Sequence, residues 1–127
     1  MPREDSSAEL QGCRVLVVED EPLEALDYCD RLSEAGAEVV GPFSSVTDAL
    51  KSVDKDAVDV ALIDYALADR NSQELQAALE ARHIPFVDLT GYPRVLVRRN
   101  QQQAVLSKPV SADLLCMSIR AAASSAR

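Results

Sequence analysis

The stretch VLVVEDEP, residues 15–22, decides how the rest of the chain is read. Val15 to Val18 are four consecutive apolar residues, the pattern of a strand buried on both faces. A strand of that kind belongs in a parallel sheet covered by helices on either side. It runs directly into Glu19, Asp20 and Glu21, then Pro22. Acids in front of a helix interact favourably with its N-terminal partial charge, which alone would account for this cluster. Three adjacent acids at a buried strand end also repel one another and call for a positive partner. Positions further along the chain separate these two readings.

Working outward, strand-like and helix-like segments alternate. Strands are expected at 14–18, 38–41, 58–63, 85–89 and 103–106. Between the first two lies an amphipathic stretch with Leu23, Leu26, Cys29 and Leu32 on one side, Pro22 in its opening turn and Gly36 at its end. Ser45-x-x-Asp48 and Asn71-x-x-Glu74 read as capping boxes, the second opening a helix that buries Leu75, Ala78 and Leu79. The last helix starts near Ser111 and is expected to bury Leu114, Leu115, Ser118 and Ile119, while GYPRVLVRRNQQ, 91–102, supports only a short or frayed helix. The expected architecture is α/β: a doubly wound five-stranded parallel sheet of flavodoxin-like order 2-1-3-4-5, with helices on both faces. Residues 1–12 are expected to be a flexible tail, 13–122 the domain, and 123–127 a second loose tail.

At 127 residues the chain is long enough for one core. Its net charge of -8 argues against nucleic acid and against anionic membranes as partners. The first twelve residues are polar and lack the apolar stretch of a signal peptide, and no apolar run reaches spanning length, so a cytoplasmic location is expected. Cys13, Cys29 and Cys116 are widely spaced and read as reduced core residues; His83 reads as a surface residue at a helix end.

In a doubly wound sheet, ligands bind beyond the carboxyl ends of the strands. Glu19 and Asp20 end the first strand, Asp64 the third and Thr90 the fourth, and Lys108 follows the fifth. Each has a bland role available: helix-end acids, a turn residue, a strand-end filler, a solvated lysine. All of them falling on one sheet edge is what a site would produce. Hard carboxylate oxygens suit magnesium, which would relieve the acids' repulsion. A carboxylate beside it can act as nucleophile toward a phosphoryl group, with Lys108 and Thr90 supplying charge and a hydroxyl donor to the incoming oxygens.

VLVVEDEP, ALIDYAL (61–67), Thr90-Gly91 and SKPV (107–110) together resemble a response-regulator receiver domain of bacterial two-component signalling over about 13–122. The resemblance implies that Asp64 is the phosphoacceptor, that Asp20, Asp64 and the backbone carbonyl of Ala66 bind Mg2+, and that Glu19 acts through water. It matches Thr90 and Lys108 to the residues that contact the phosphoryl oxygens, and it places Lys108-Pro109 as a cis peptide. IPFVDLTGYPR resembles a receiver subgroup with a PFxFATGY pattern, with Asp88 and Leu89 where that pattern has Phe and Ala. Members of that subgroup are often single-domain regulators or serve the general stress response in alphaproteobacteria and similar bacteria.

Two departures bear on mechanism. Val105 stands where most receivers carry an aromatic residue three before the lysine, and ALADRNSQ, after the acceptor, lacks the usual Pro and Gly. A β-branched valine cannot swing a ring between buried and exposed positions. A switch built on Thr90, Gly91 and Tyr92 is therefore expected in place of one at Val105, with segment 92–101 ordering on activation. The implied function is a single-domain regulator that takes a phosphoryl group from a histidine kinase, acts on a downstream protein target or passes the group to a histidine phosphotransfer protein, and is a monomer or weak dimer. It would not turn over an external substrate. An unphosphorylated interaction module is the alternative; a flavin carrier of the same topology would need a Ser/Thr/Gly-rich loop after the first strand, and EDEP is not one.

Overall fold

The computed structural model describes residues 9–90, 103–107 and 111–125. Its strands are β1 (Arg14–Val18), β2 (Glu38–Phe43), β3 (Val60–Asp64), β4 (Phe86–Thr90) and β5 (Gln103–Ser107), all parallel, in the order β2-β1-β3-β4-β5. The expected sheet and its order are present. Its helices are α1 (Pro22–Glu34), α2 (Val46–Lys55), α3 (Gln73–Ala81) and α4 (Ala112–Ser125). None of them is long and apolar enough to cross a membrane.

Alternation along β1 divides the core in two. Val15 and Val17 join Tyr28, Leu32, Leu115 and Ile119 beneath α1 and α4, whereas Leu16 and Val18 join Val46, Ala49, Leu75 and Leu79 beneath α2 and α3. This is the period-2 geometry of a strand with both faces covered, and it explains why VLVV contains no polar residue.

Several expected boundaries move. Ala25, Tyr28 and Leu32 are the buried residues of α1, while Leu23 and Leu26 are 75% and 58% exposed. At 100° per residue, Leu23 lies about 160° and Leu26 about 100° around the helix from Ala25, so the leucines do not define the inner face. Leu114 is likewise exposed; α4 buries Leu115, Cys116, Ile119, Ala122 and Ala123. That helix continues through Ser125, past the boundary expected at 122, because its alanines still pack on the core. At the other end Leu10 is buried and its N–H donates to the Ala35 carbonyl at 2.7 Å, so 9–12 are not a loose tail.

The expected Ser45 cap forms, its Oγ accepting from the Asp48 N–H (3.1 Å), and Pro22 opens α1 as expected, with Glu21 Oε1 accepting from the Glu24 N–H (3.2 Å). The Asn71/Glu74 box does not form. Asn71 Oδ1 accepts from the Gln73 N–H (3.0 Å), one residue short of Glu74, and Glu74 pairs with Arg70 (3.0 Å). His83 is exposed with φ 58, a left-handed residue just past the end of α3. Cys13 and Cys116 are buried thiols and Cys29 is half-buried; burial raises the pKa of the latter two.

β2 runs two residues further than expected and carries one extra residue against β1: Leu16 faces Val40, but Val18 faces Phe43. Gly41 sits at this bulge with φ +109, and a Cβ there would lie 2.9 Å from the Val17 carbonyl oxygen. The Gly41–Pro42 peptide is cis. The bulge brings the Phe43 carbonyl to the Glu19 N–H at 2.8 Å, and so sets the loop from β2 to α2 against the acid-rich end of β1.

Candidate functional site

Two strands deliver three acids to one edge. Glu19 and Asp20 follow β1, Asp64 is the last residue of β3, and these two strands are hydrogen-bonded neighbours with Val18 opposite Ile63. Carboxylate oxygens of Glu19, Asp20 and Asp64 lie within 4.8 Å of one another. Glu19 and Asp64 are buried, at 3% and 7% exposure, and Asp20 is exposed. The Glu19 carboxylate is held from below: its Oε2 accepts the Glu21 N–H at 3.1 Å, while the Glu21 side chain caps α1. The three acids thus have distinct postures. Glu19 is anchored to backbone, Asp64 is fixed by a strand, and Asp20 faces solvent.

The loop after Asp64 is tightly closed. Tyr65 N–H donates to the Leu89 carbonyl (3.1 Å), Ser72 N–H to the Tyr65 carbonyl (2.8 Å) and Leu67 N–H to the Arg70 carbonyl (3.2 Å), and Ala66 forms an isolated bridge with Asn71. Leu67 is buried beneath α2 and α3. Ala66, whose carbonyl the sequence resemblance singles out, therefore sits in a backbone held at both ends.

Thr90 ends β4 in register with Ser107 of β5, on the same sheet edge as Asp64. Val105 lies in β5 opposite Asp88. Gly91, Tyr92 and Lys108, the Lys108-Pro109 peptide and the 92–101 switch segment lie outside the described residues.

Two features lie beyond the residues the sequence singles out as a site. Asp69, at the tip of the loop, binds the start of α2: its carboxylate accepts from the Val46 N–H (2.8 Å), the Thr47 N–H (3.1 Å) and Thr47 Oγ1 (2.9 Å). These contacts lower its pKa from 3.8 to about 2, the Val46 amide contributing most. Beneath them, Gln76 Nε2 donates to Ser72 Oγ (3.0 Å) and Asp88 Oδ2 (3.3 Å), a buried polar chain from the start of α3 to β4. Asp88 is noticeable in the sequence as an acid inside an apolar strand; Asp69 looks like any loop aspartate, because its partners are 22 and 23 residues away.

A pocket of about 460 Å³ adjoins the acids, lined by Glu19 and Asp20 on one side and by Pro22, Leu26, Pro42 and Phe43 on the other. It opens between α1 and the β2 bulge.

No family model matches the chain. It is 34% identical to SdrG from Sphingomonas melonis Fr1, whose solution structure it matches with a TM-score of 0.74 over 87% of this chain and 95% of that one. The signal receiver domain of a modulated diguanylate cyclase from Desulfovibrio desulfuricans G20 is 31% identical, with a TM-score of 0.78 over 89% and 94% of the two chains. PdtaR, a transcriptional regulatory protein of Mycobacterium tuberculosis, is 31% identical over 116 residues, 87% of this chain and 57% of that protein. The chain spans about half the length of the curated relatives it matches.

Proposed function

Since the chain belongs to the response-regulator receiver family of two-component signalling, we propose that Asp64 accepts a phosphoryl group from the phosphohistidine of a histidine kinase. The observation that carries this reading is the meeting of Glu19, Asp20 and Asp64 within 4.8 Å at the carboxyl edge of the sheet. In the transfer an Asp64 carboxylate oxygen attacks phosphorus, the P–N bond to the imidazole breaks, and an acyl phosphate forms on Asp64. Thr90 and Lys108 are assigned to the phosphoryl oxygens, whose charge must be met by donors already in place.

The donor set fits magnesium. All its members are oxygens, the donors this hard cation prefers, and the three carboxylates already meet within 4.8 Å. Asp20, Asp64 and the Ala66 carbonyl would hold the ion directly and Glu19 through water, consistent with an oxygen of Glu19 being engaged by the Glu21 N–H. Bound there, the ion would neutralise the acids and polarise the phosphoryl oxygens.

The output is contact with a protein target in the cytoplasm, directly or after passing the phosphoryl group to a histidine phosphotransfer protein. Incubation with acetyl phosphate and magnesium, followed by intact mass spectrometry, should add a single phosphoryl group that Asp64→Ala abolishes. An adduct retained in Asp64→Ala would overturn the assignment.

A further inference from the structure

The loop that follows Asp64 poses a physical problem. Residues 65–72, YALADRNS, contain neither Pro nor Gly, so the two residues that most restrict or permit backbone shape locally are missing. Yet Ala66, two residues past Asp64, must hold its carbonyl in a fixed direction if it is to serve as a ligand. The loop closes on itself through its own backbone hydrogen bonds and is also restrained from outside. Its tip turns back on itself through the Leu67–Arg70 hydrogen bond, and this presents Asp69 to the first turn of α2.

The N–H groups of a helix's first turn have no partner within the helix. Ser45 takes that of Asp48, and Asp69 takes those of Val46 and Thr47 together with the Thr47 hydroxyl. Arg70 Nη1 closes the cluster, donating to Asp69 Oδ2 at 2.9 Å and to Thr47 Oγ1 at 3.2 Å. One carboxylate thus gathers four donors, three of them from a segment more than twenty residues earlier. A second attachment lies beside it, where the Ala68 N–H donates to the Ser44 carbonyl at 3.1 Å. Hydrogen bonds to an ionised carboxylate are the stronger kind, so the first attachment dominates.

We propose that Asp69 is a positioning residue for the acidic site, pinning the loop after Asp64 onto the start of α2 and thereby aiming the Ala66 carbonyl. The inference rests on the reading of that site as one that holds a divalent cation and a phosphoryl group. It assigns to a contact between distant segments the stiffness that proline and glycine would otherwise supply locally. It also makes the start of α2 part of the site's support, since any shift of the loop must either carry Val46 and Thr47 with it or break their bonds.

A plain helix cap would stabilise α2 and do nothing else, and Ser45→Ala provides that comparison because it removes a cap from the same helix without touching the loop. Magnesium affinity is read from amide chemical shifts in Asp69→Ala, Asp69→Asn and Ser45→Ala, alongside hydrogen exchange at the Leu67 and Ser72 amides. Asp69→Ala should bind magnesium about threefold to tenfold more weakly, somewhat less than the usual loss of a group that directly orients a ligand. It should also exchange faster at Leu67 and Ser72. Ser45→Ala should stay within about twofold of the unmodified chain, by the same reckoning. Asp69→Asn keeps one acceptor oxygen and should fall between; it decides the matter if the alanine variant does not fold. Unmodified magnesium affinity in the Asp69 variants, or equal weakening in Ser45→Ala, would overturn the tether while leaving the proposed function standing. An unmodified chain that binds no magnesium would overturn both.

Discussion

Neutralising Asp20 should stabilise the metal-free protein and destabilise it relative to the unmodified chain once magnesium is present. Asp20 carries one charge within 4.8 Å of Glu19 and of Asp64. Two like charges at that separation repel by about 1 kcal/mol in a water-like dielectric and about 4 kcal/mol at an effective dielectric of 20. Asp20 is exposed, so the lower figure applies to each of its two pairs, and solvent screening trims the sum to about 1–2 kcal/mol. For a chain of this length that corresponds to a rise in Tm of roughly 3–8 °C for Asp20→Asn in EDTA. Saturating magnesium reverses the order. A ligand at a hundred times its dissociation constant stabilises the folded state by about 2.7 kcal/mol, and Asp20→Asn forfeits most of that if Asp20 is the direct ligand proposed. Thermal melts of both proteins, in EDTA and across a magnesium series, should therefore cross. Glu19→Gln retains an acceptor for the Glu21 N–H and should keep more of the magnesium-induced rise than Asp20→Asn does. A lower metal-free Tm for Asp20→Asn would refute the repulsion argument, and the same magnesium-induced rise in both proteins would refute the assignment of Asp20 as a direct ligand.

Two further outcomes follow from the described contacts. The Asp69 carboxyl is held at about 2, below its ordinary 3.8, so its anion stabilises the fold fully above pH 4 and progressively less as the pH falls through 2. The Tm gap between the unmodified chain and Asp69→Asn should accordingly be constant from pH 7 to 5 and shrink toward pH 2; a gap that does not narrow would count against the cap. On α1, Leu32→Ala should cost about 2–5 kcal/mol in urea unfolding because that side chain is fully buried, whereas Leu23→Ala should stay within about 0.5 kcal/mol. Similar losses for the two would restore the leucine face that the sequence pattern suggests.

The errors along α1 and α4 share a cause. Leucine spacing at 23, 26 and 32 looks like an inner face, but the residues that meet the sheet include Ala25 and Tyr28, one small and one amphipathic, which an apolar count underweights. In α4 the small residues Ala122 and Ala123 carry burial past the last leucine or isoleucine. The sheet was more legible, because a strand covered on both faces is dominated by apolar residues and Val15–Val18 and Val60–Ile63 are each wholly apolar. Strand ends were legible only to within two residues, and the bulge at Gly41 depends on a pairing that no local pattern in EVVGPF announces.

The acids were legible for a different reason: topology alone sends the ends of β1 and β3 to one edge, so knowing the strands locates Glu19, Asp20 and Asp64 together. What holds them there is pairwise and distant. Glu19 N–H reaches Phe43, Ala68 N–H reaches Ser44, Tyr65 N–H reaches Leu89 and Asp69 reaches Val46, so that four separate segments are laced along the carboxyl edge. None of these contacts has a sequence period. Three of the four are made by backbone groups alone, which every residue carries. A family pattern written in side chains therefore registers ALADRNSQ as a departure, since Pro and Gly are missing, while the contacts that hold the loop go unseen. Under the proposed tether, the start of α2 adds restraint to the loop's own hydrogen bonds. A substitution at Val46 or Thr47 that weakens the grip on Asp69 then becomes a way to alter the acidic site from a helix that supplies none of its proposed ligands.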